Sequence, residues 1–424
     1  MLRVTHIHRT YRSRLFWAWL ALAVLVLPPT LDAQRSDLKR LRKGKRIELP
    51  FTLINDFIVI NVLVDNVIPS RFIVDTGAEN TVLLDKKMTD LLDVDYRKTY
   101  NIRGSDIETL LTAYLVTGID LRLDNALLAR DRSMLVLKDN YFNFERIIGQ
   151  NVQGILGADF LMRFVLEIDY RKGVIVLHEP GKWKPSGRHA RLKSAFVRNR
   201  PYVQLPVALS NGQPLRRRLL LDSGAGLTLL LHTFGDSTVN NRDLPVQTIP
   251  TYIANGLGGK LEGSVGRSRS ITLGGRELQG VVTYFQPIDT TGASHLNERE
   301  GIVGNRVLKR FNLVVDYPQR AVYAKPEGKW RQRFRFDRSG LSLLAGGREL
   351  RTFNVAAVVP GSPAERAGLQ IGDRVVSVNG TSATFLTLSG IIRRLEGKPG
   401  RRIRMRYKRG NEYFETEFRL EELI

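Results

Sequence analysis

Phe72–Leu84 reads FIVDTGAENTVLL, and Leu219–Leu231, 147 residues further on, reads LLLDSGAGLTLLL. Each stretch runs an apolar strand into Asp-Thr/Ser-Gly-Ala and resumes an apolar run after a threonine, Thr81 or Thr228. The same offset carries Gly154-Ile155-Leu156-Gly157 onto Gly301-Ile302-Val303-Gly304, Asp169-Tyr170 onto Asp316-Tyr317, and Gly181-Lys182-Trp183 onto Gly328-Lys329-Trp330. A period this long, seen twice, is a duplicated domain and not a solenoid. Two lobes related by a pseudo-two-fold axis would bring Asp75 and Asp222 face to face.

An Asp-Thr/Ser-Gly-Ala turn after an apolar strand, followed some 80 residues later by Ile155-Leu156-Gly157 or Ile302-Val303-Gly304, resembles the aspartic proteases. DTGAENT is closer to the retroviral-type branch than to pepsins, although both copies sit in one chain as in pepsins. The resemblance covers residues 44 to 332. It implies an all-β, two-lobed acid-protease fold with Asp75 and Asp222 as the catalytic pair. Gly77 and Gly224 would let the backbone come close to the dyad, and the Thr76 and Ser223 hydroxyls would cross-bond the lobes. It also implies that Glu79 contacts substrate backbone. Gly226 at the matching position of the second lobe makes the cleft asymmetric. Gly256-Leu257-Gly258-Gly259 resembles a glycine-rich flap tip, with an ordinary hairpin turn as the alternative. Only Arg103-Gly104-Ser105 stands in the comparable region of lobe one.

Such a pair has a definite chemistry. Two carboxylates a few ångströms apart cannot both ionise and so share a proton. The ionised group takes a proton from water while the protonated one donates to a carbonyl oxygen. They titrate as a pair, so neither takes a fixed role. Alternatives find little support. Cysteine is absent, which excludes thiolate chemistry and disulfides. His178, His189, His232 and His295 lack metal-ligand spacing, so no metal and no cofactor are expected. Gly263-Ser264-Val265-Gly266 lacks the frame of a serine nucleophile. Asp169 and Asp316 read as turn acceptors, and Trp183 and Trp330 as packing residues.

The flanks differ. Arg3, Arg9, Arg12 and Arg14 precede a 13-residue apolar run, Leu15 to Leu27, then Pro28-Pro29 and Ala33. That order is a signal peptide over residues 1–33, too short for a spanning helix, and predicts export to a periplasm or secreted space. Residues 34–46 read as a basic linker, 47–188 as lobe one, and 189–332 as lobe two. The formal charge of +23 falls to +20 without residues 1–33, which carry four arginines and Asp32. Basic clusters are spread over every domain without aromatic interleaving. The expectation is no nucleic acid, with a merely soluble surface or affinity for an anionic envelope.

Residues 333–424 change character. Val359-Pro360-Gly361-Ser362-Pro363-Ala364, Ala367-Gly368-Leu369, Gly372-Asp373 and Val378-Asn379-Gly380 resemble a PDZ domain, a small β-barrel-like sheet with two helices. Ser362-Pro363 caps a short helix, Leu386–Leu395 suits the second, and Gly340-Leu341-Ser342-Leu343 sits where such domains hold a ligand carboxylate. The resemblance implies recruitment of substrates by their free C-termini, with Arg338, Arg348 and Arg351 adding positive charge. The whole reads as a monomeric, exported aspartic endopeptidase acting on peptides or proteins. The rival reading is an inactive peptide-binding scaffold of the same fold.

Overall fold

A computed structural model of the chain describes residues 37–41, 46–92, 94–103, 110–141, 143–210, 212–233, 247–256, 259–287 and 300–424. The signal segment and His295 lie outside them. The molecule is all-β, with four sheets among the described residues. Valine, isoleucine and leucine dominate the strands, as half-buried pleated surfaces require.

The two copies of the repeat build matching sheets. Strand Ile68–Val74 leads into Asp75, and strand Leu215–Leu221 leads into Asp222. Beside each lies the triplet strand, parallel and in equivalent register: Gly154–Leu156 against Phe72–Val74, and Gly301–Val303 against Leu219–Leu221. A short helix follows each triplet, Ala158–Leu161 in the first lobe and Asn305–Leu308 in the second. The sheets hold nine and eight strands. A six-stranded sheet joins the lobes, three strands from each, through the antiparallel pair Val165–Asp169 and Phe311–Asp316. All six residues of Phe311–Asp316 are buried, Asn312 and Asp316 included, so the strand is covered on both faces.

Within the stretch read as a linker, Leu38–Arg40 pairs antiparallel with Leu127–Ala129. Asp37 anchors it by ion pairs to Arg132 and Arg163 at 2.8 and 2.7 Å. Charge density hid a strand whose partners are far away in sequence. Asp169 and Asp316 accept from the amides of Lys172 and Gln319, each at 3.0 Å, and so close turns.

The C-terminal sheet follows the order Leu341–Gly346, Thr352–Val358, Arg374–Val378, Arg402–Arg409, Glu412–Arg419. Ser362 caps helix Pro363–Arg366, and Thr387 caps helix Leu388–Leu395 through the Gly390 amide at 3.0 Å. The basic face of Arg402–Arg409 is matched across the strand pair by Glu417 and Glu415, which lie 3.0 and 3.7 Å from Arg402 and Arg404.

Candidate active site

The strands Ile68–Val74 and Leu215–Leu221 deliver Asp75 and Asp222 to the same point. Behind each, the aspartate's own amide donates to the triplet strand: Asp75 to Leu156 O at 3.0 Å, and Asp222 to Val303 O at 3.1 Å. The triplet glycines are there because of contact. A Cβ on Gly157 would stand 2.4 Å from Asn80 O, and one on Gly304 2.5 Å from Leu227 O.

The two aspartates meet through glycine. A Cβ on Gly77 would lie 2.6 Å from Asp222 Cγ, and one on Gly224 only 2.2 Å from Asp75 Cγ. Each glycine therefore leaves the space that the opposing carboxylate fills. Asp75 Oδ1 accepts from the amides of Gly77 and Ala78 at 2.7 and 3.1 Å, and Asp222 Oδ1 from Gly224 at 2.8 Å. Burial pushes the Asp75 pKa up, against the Gly77 amide, a hydrogen bond with Asp222, and the amides of Ala78 and Gly224.

Under the dyad the hydroxyls cross the lobes. Thr76 Oγ1 donates to Leu221 O at 2.6 Å and accepts from Ser223 N at 3.0 Å. Ser223 Oγ donates to Val74 O at 2.8 Å and accepts from Thr76 N at 3.0 Å. Both side chains are fully buried. A serine or threonine is required here because one oxygen must donate and accept at once.

The remaining predicted residues are dispersed. Glu79 lies 3.8 Å from Arg198, on a turn of lobe two, and remains 42% exposed. Gly226, its counterpart, is crowded by the Asn55–Phe57 turn of lobe one: a Cβ there would be 2.8 Å from the Phe57 ring and 2.9 Å from Asn55 O. Each lobe thus sends a turn across to the other's aspartate loop, and the Glu79/Gly226 difference reflects those turns. Strands Thr248–Gly256 and Gly259–Leu273 pair up to Gly256 opposite Gly259, while Leu257 and Gly258 lie outside the described residues. Lobe one carries a comparable hairpin, Lys98–Arg103 with strand Leu110–Leu123, paired up to Arg103 opposite Leu110.

The PDZ loop departs from expectation. The amides of Ser339 and Gly340 donate to Asp337 Oδ2 at 3.2 and 2.6 Å, and the Leu341 amide donates to Ser339 Oγ at 3.1 Å. Gly340 and Leu341 thus spend their donors within the loop, and Ser342 and Leu343 belong to the following strand. Burial pushes the Asp337 pKa up to about 6, against the Ser339 hydroxyl and the loop amides. Two of the three expected arginines are also engaged, Arg338 with Glu396 O, Gly397 O and Glu422, and Arg351 with Leu386 O, while Arg348 is exposed. Sequence distance alone could not tell that the Arg338 guanidinium points into the fold.

Two residues were not foreseen. Asn305, directly after the second triplet, donates to Ser223 O and accepts from Tyr170 of lobe one at 2.6 Å. Arg306 pairs with Asp56 of lobe one at 2.8 Å and with Glu396 of the PDZ domain. Burial opposes the charge on Arg306, but these two carboxylates outweigh it and raise its pKa. The signal in sequence was the polar Asn-Arg pair where lobe one has Ala158-Asp159. No group of acidic and histidine residues suited to a metal occurs among the described residues.

Residues 60–160 match the family model described as aspartyl protease, and residues 355–409 match that of a PDZ domain. The chain therefore carries a retropepsin-like aspartyl protease domain and a PDZ domain. The matched part holds Asp75 and its triplet; Asp222 enters through the internal repeat and the identical strand register. No curated protein matches the chain.

Proposed function

We propose that this chain is an aspartic endopeptidase that hydrolyses peptide bonds with a water activated between Asp75 and Asp222. The single observation that carries the reading is the mutual packing of the dyad, in which each glycine makes room for the opposite carboxylate. Burial favours one shared proton, so one carboxylate takes a proton from the water as the other protonates the carbonyl oxygen. The two hairpins that rise between each aspartate and its triplet are suited to cover a bound peptide and exclude water.

Asp75→Asn and Asp222→Asn should each abolish cleavage of a mixed peptide library while the fold is kept. Residues acting as a unit fail together, so more than about a few per cent of wild-type turnover in either variant would overturn the assignment. Complete inactivity of the wild type would favour the scaffold reading. One chain supplies both aspartates, so the protein should act as a monomer. The charged and apolar order of residues 1–33 supports export, which detection of a processed N-terminus in an extracytoplasmic fraction would test. The excess of basic residues supports weak affinity for an anionic envelope, testable by cosedimentation with anionic vesicles. The PDZ domain supports peptide binding, and recruitment of substrates there would need its groove to be open.

A further inference from the structure

The groove of a PDZ domain runs between an edge strand and a helix, here Leu341–Gly346 and Leu388–Leu395. Helix Phe144–Ile148 of protease lobe one lies against that edge strand. Gly149, the next residue, is tight against the other wall: a Cβ on it would stand 3.0 Å from Leu388 Cβ. Asn55 clamps the arrangement. Its side-chain amide donates to Ile147 O and Ile148 O at 3.1 Å, and its oxygen accepts from Ser389 Oγ on the PDZ helix. At the end of the groove the Asp337 carboxylate holds the loop amides.

The other side of the same segment supports the dyad. Phe144 meets Phe57 edge to face, with centroids 6.2 Å apart. Phe57 in turn crowds Gly226, four residues after Asp222. Phe144, Phe57 and Ala78, the alanine of the first aspartate loop, pack against one apolar cluster with Ile148 and Ile155.

We propose that the groove is closed from within the chain, by residues 144–149 in the place of a peptide strand and Asp337 in the place of its carboxylate, and that an entering peptide must lift this segment and so loosens the dyad's support. Groove ligands then act as negative effectors of cleavage. The ligand is an extended apolar segment that pairs with the open edge of Leu341–Gly346. A free C-terminus brings no advantage, since its carboxylate would face Asp337. Coupling between two sites is reciprocal, so an occupied cleft must equally weaken groove binding. This rests on the endopeptidase reading only for its effect on turnover.

The test uses the mature full-length chain, a fluorescent peptide ending in Ala-Leu-Val, and its C-terminally amidated twin. Binding is followed by anisotropy, the segment by amide hydrogen exchange over residues 144–149, and turnover with a short substrate blocked at both ends. Both peptides should bind alike, raise exchange over 144–149, and lower kcat/KM by about tenfold, within the usual range of such couplings. Phe144→Ala, which loosens the segment, should tighten binding of both peptides. Binding with unchanged exchange would overturn the latch, as would an absence of binding in both wild type and Phe144→Ala. A marked preference for the free acid would overturn the role given to Asp337, and activation in place of inhibition would overturn the sign. If the chain cleaves nothing, the endopeptidase reading fails, while anisotropy and exchange still decide on the latch.

Discussion

Asp75 is buried among amides and a second carboxyl, and its raised pKa has a consequence for stability. A group whose folded pKa exceeds its unfolded one contributes stability below the unfolded pKa, and loses it as pH rises through the folded value. At neutral pH Asp75 therefore weakens the fold. Asp75→Asn should be more stable than wild type at pH 7, and thermal melts should show this gain shrinking towards acid pH. A gain independent of pH would contradict the burial argument. On the endopeptidase reading, turnover draws on the same titration: both aspartate loops end in alanine, Ala78 and Ala225, so neither offers a hydroxyl to steady the ionised form. The pH–rate profile should peak at mildly acidic pH, and a maximum below about pH 3 would sink this reading. Gly224→Ala places a methyl 2.2 Å from Asp75 Cγ. Overpacking of this kind costs about 1–3 kcal/mol, and the displaced carboxylate should stop turnover. Full activity in Gly224→Ala would mean that the loops do not close on each other as described.

At the level of elements, the lobes are joined beneath the dyad by the six-stranded sheet and the hydroxyl pair, besides the turn contacts and those of Asn305 and Arg306. Ser223→Ala removes the donor to Val74 O and the acceptor of the Thr76 amide, both buried. Leaving a buried group unsatisfied costs about 1–3 kcal/mol, and the loss should appear in urea unfolding together with a fall in kcat. A stable variant with reduced kcat would separate dyad alignment from lobe docking; no effect on either would show the crossed bonds to be dispensable. Most of these elements were legible beforehand. The apolar runs Phe57–Val64 and Val165–Ile168 mark strands by themselves, and the structure forms strands Phe57–Val64 and Val165–Asp169 there. Ala158 to Phe164, directly after its triplet, marks a short helix, of which the structure forms Ala158–Leu161. The strand Leu38–Arg40 was not legible, because its pairing with Leu127–Ala129 depends on a partner nearly ninety residues away.

The two lobes and the PDZ domain meet at one partly buried cation. Arg306 follows the triplet behind Asp222 and reaches Asp56 in lobe one, Glu396 in the PDZ domain and, at 3.2 Å, Arg335 O ahead of the first PDZ strand. Arg306→Met leaves two inward-facing carboxylates without this partner, and breaking a buried pair typically costs about 3–5 kcal/mol. Chemical denaturation should show a loss on that scale, whereas a loss below about 1 kcal/mol would place the pair among weak surface bridges. Deletion of Phe334–Ile424 removes Glu396 and uncovers helix Phe144–Ile148. It should therefore alter kcat even on short peptides, where a mere tether would change only KM on long ones. An unchanged kcat would restore the tether.

The internal repeat determined the duplicated lobes, the two aspartates and their supporting glycines and hydroxyls, because each is a local pattern of residue types at a constant spacing. The PDZ signature determined the C-terminal sheet in the same way. Only the tertiary structure decided what the PDZ groove holds, what Glu79 and Gly226 face, and where Arg306 and Arg338 point. Those outcomes depend on surfaces from separate lobes meeting, and nothing in the local order of side chains encodes which surface arrives.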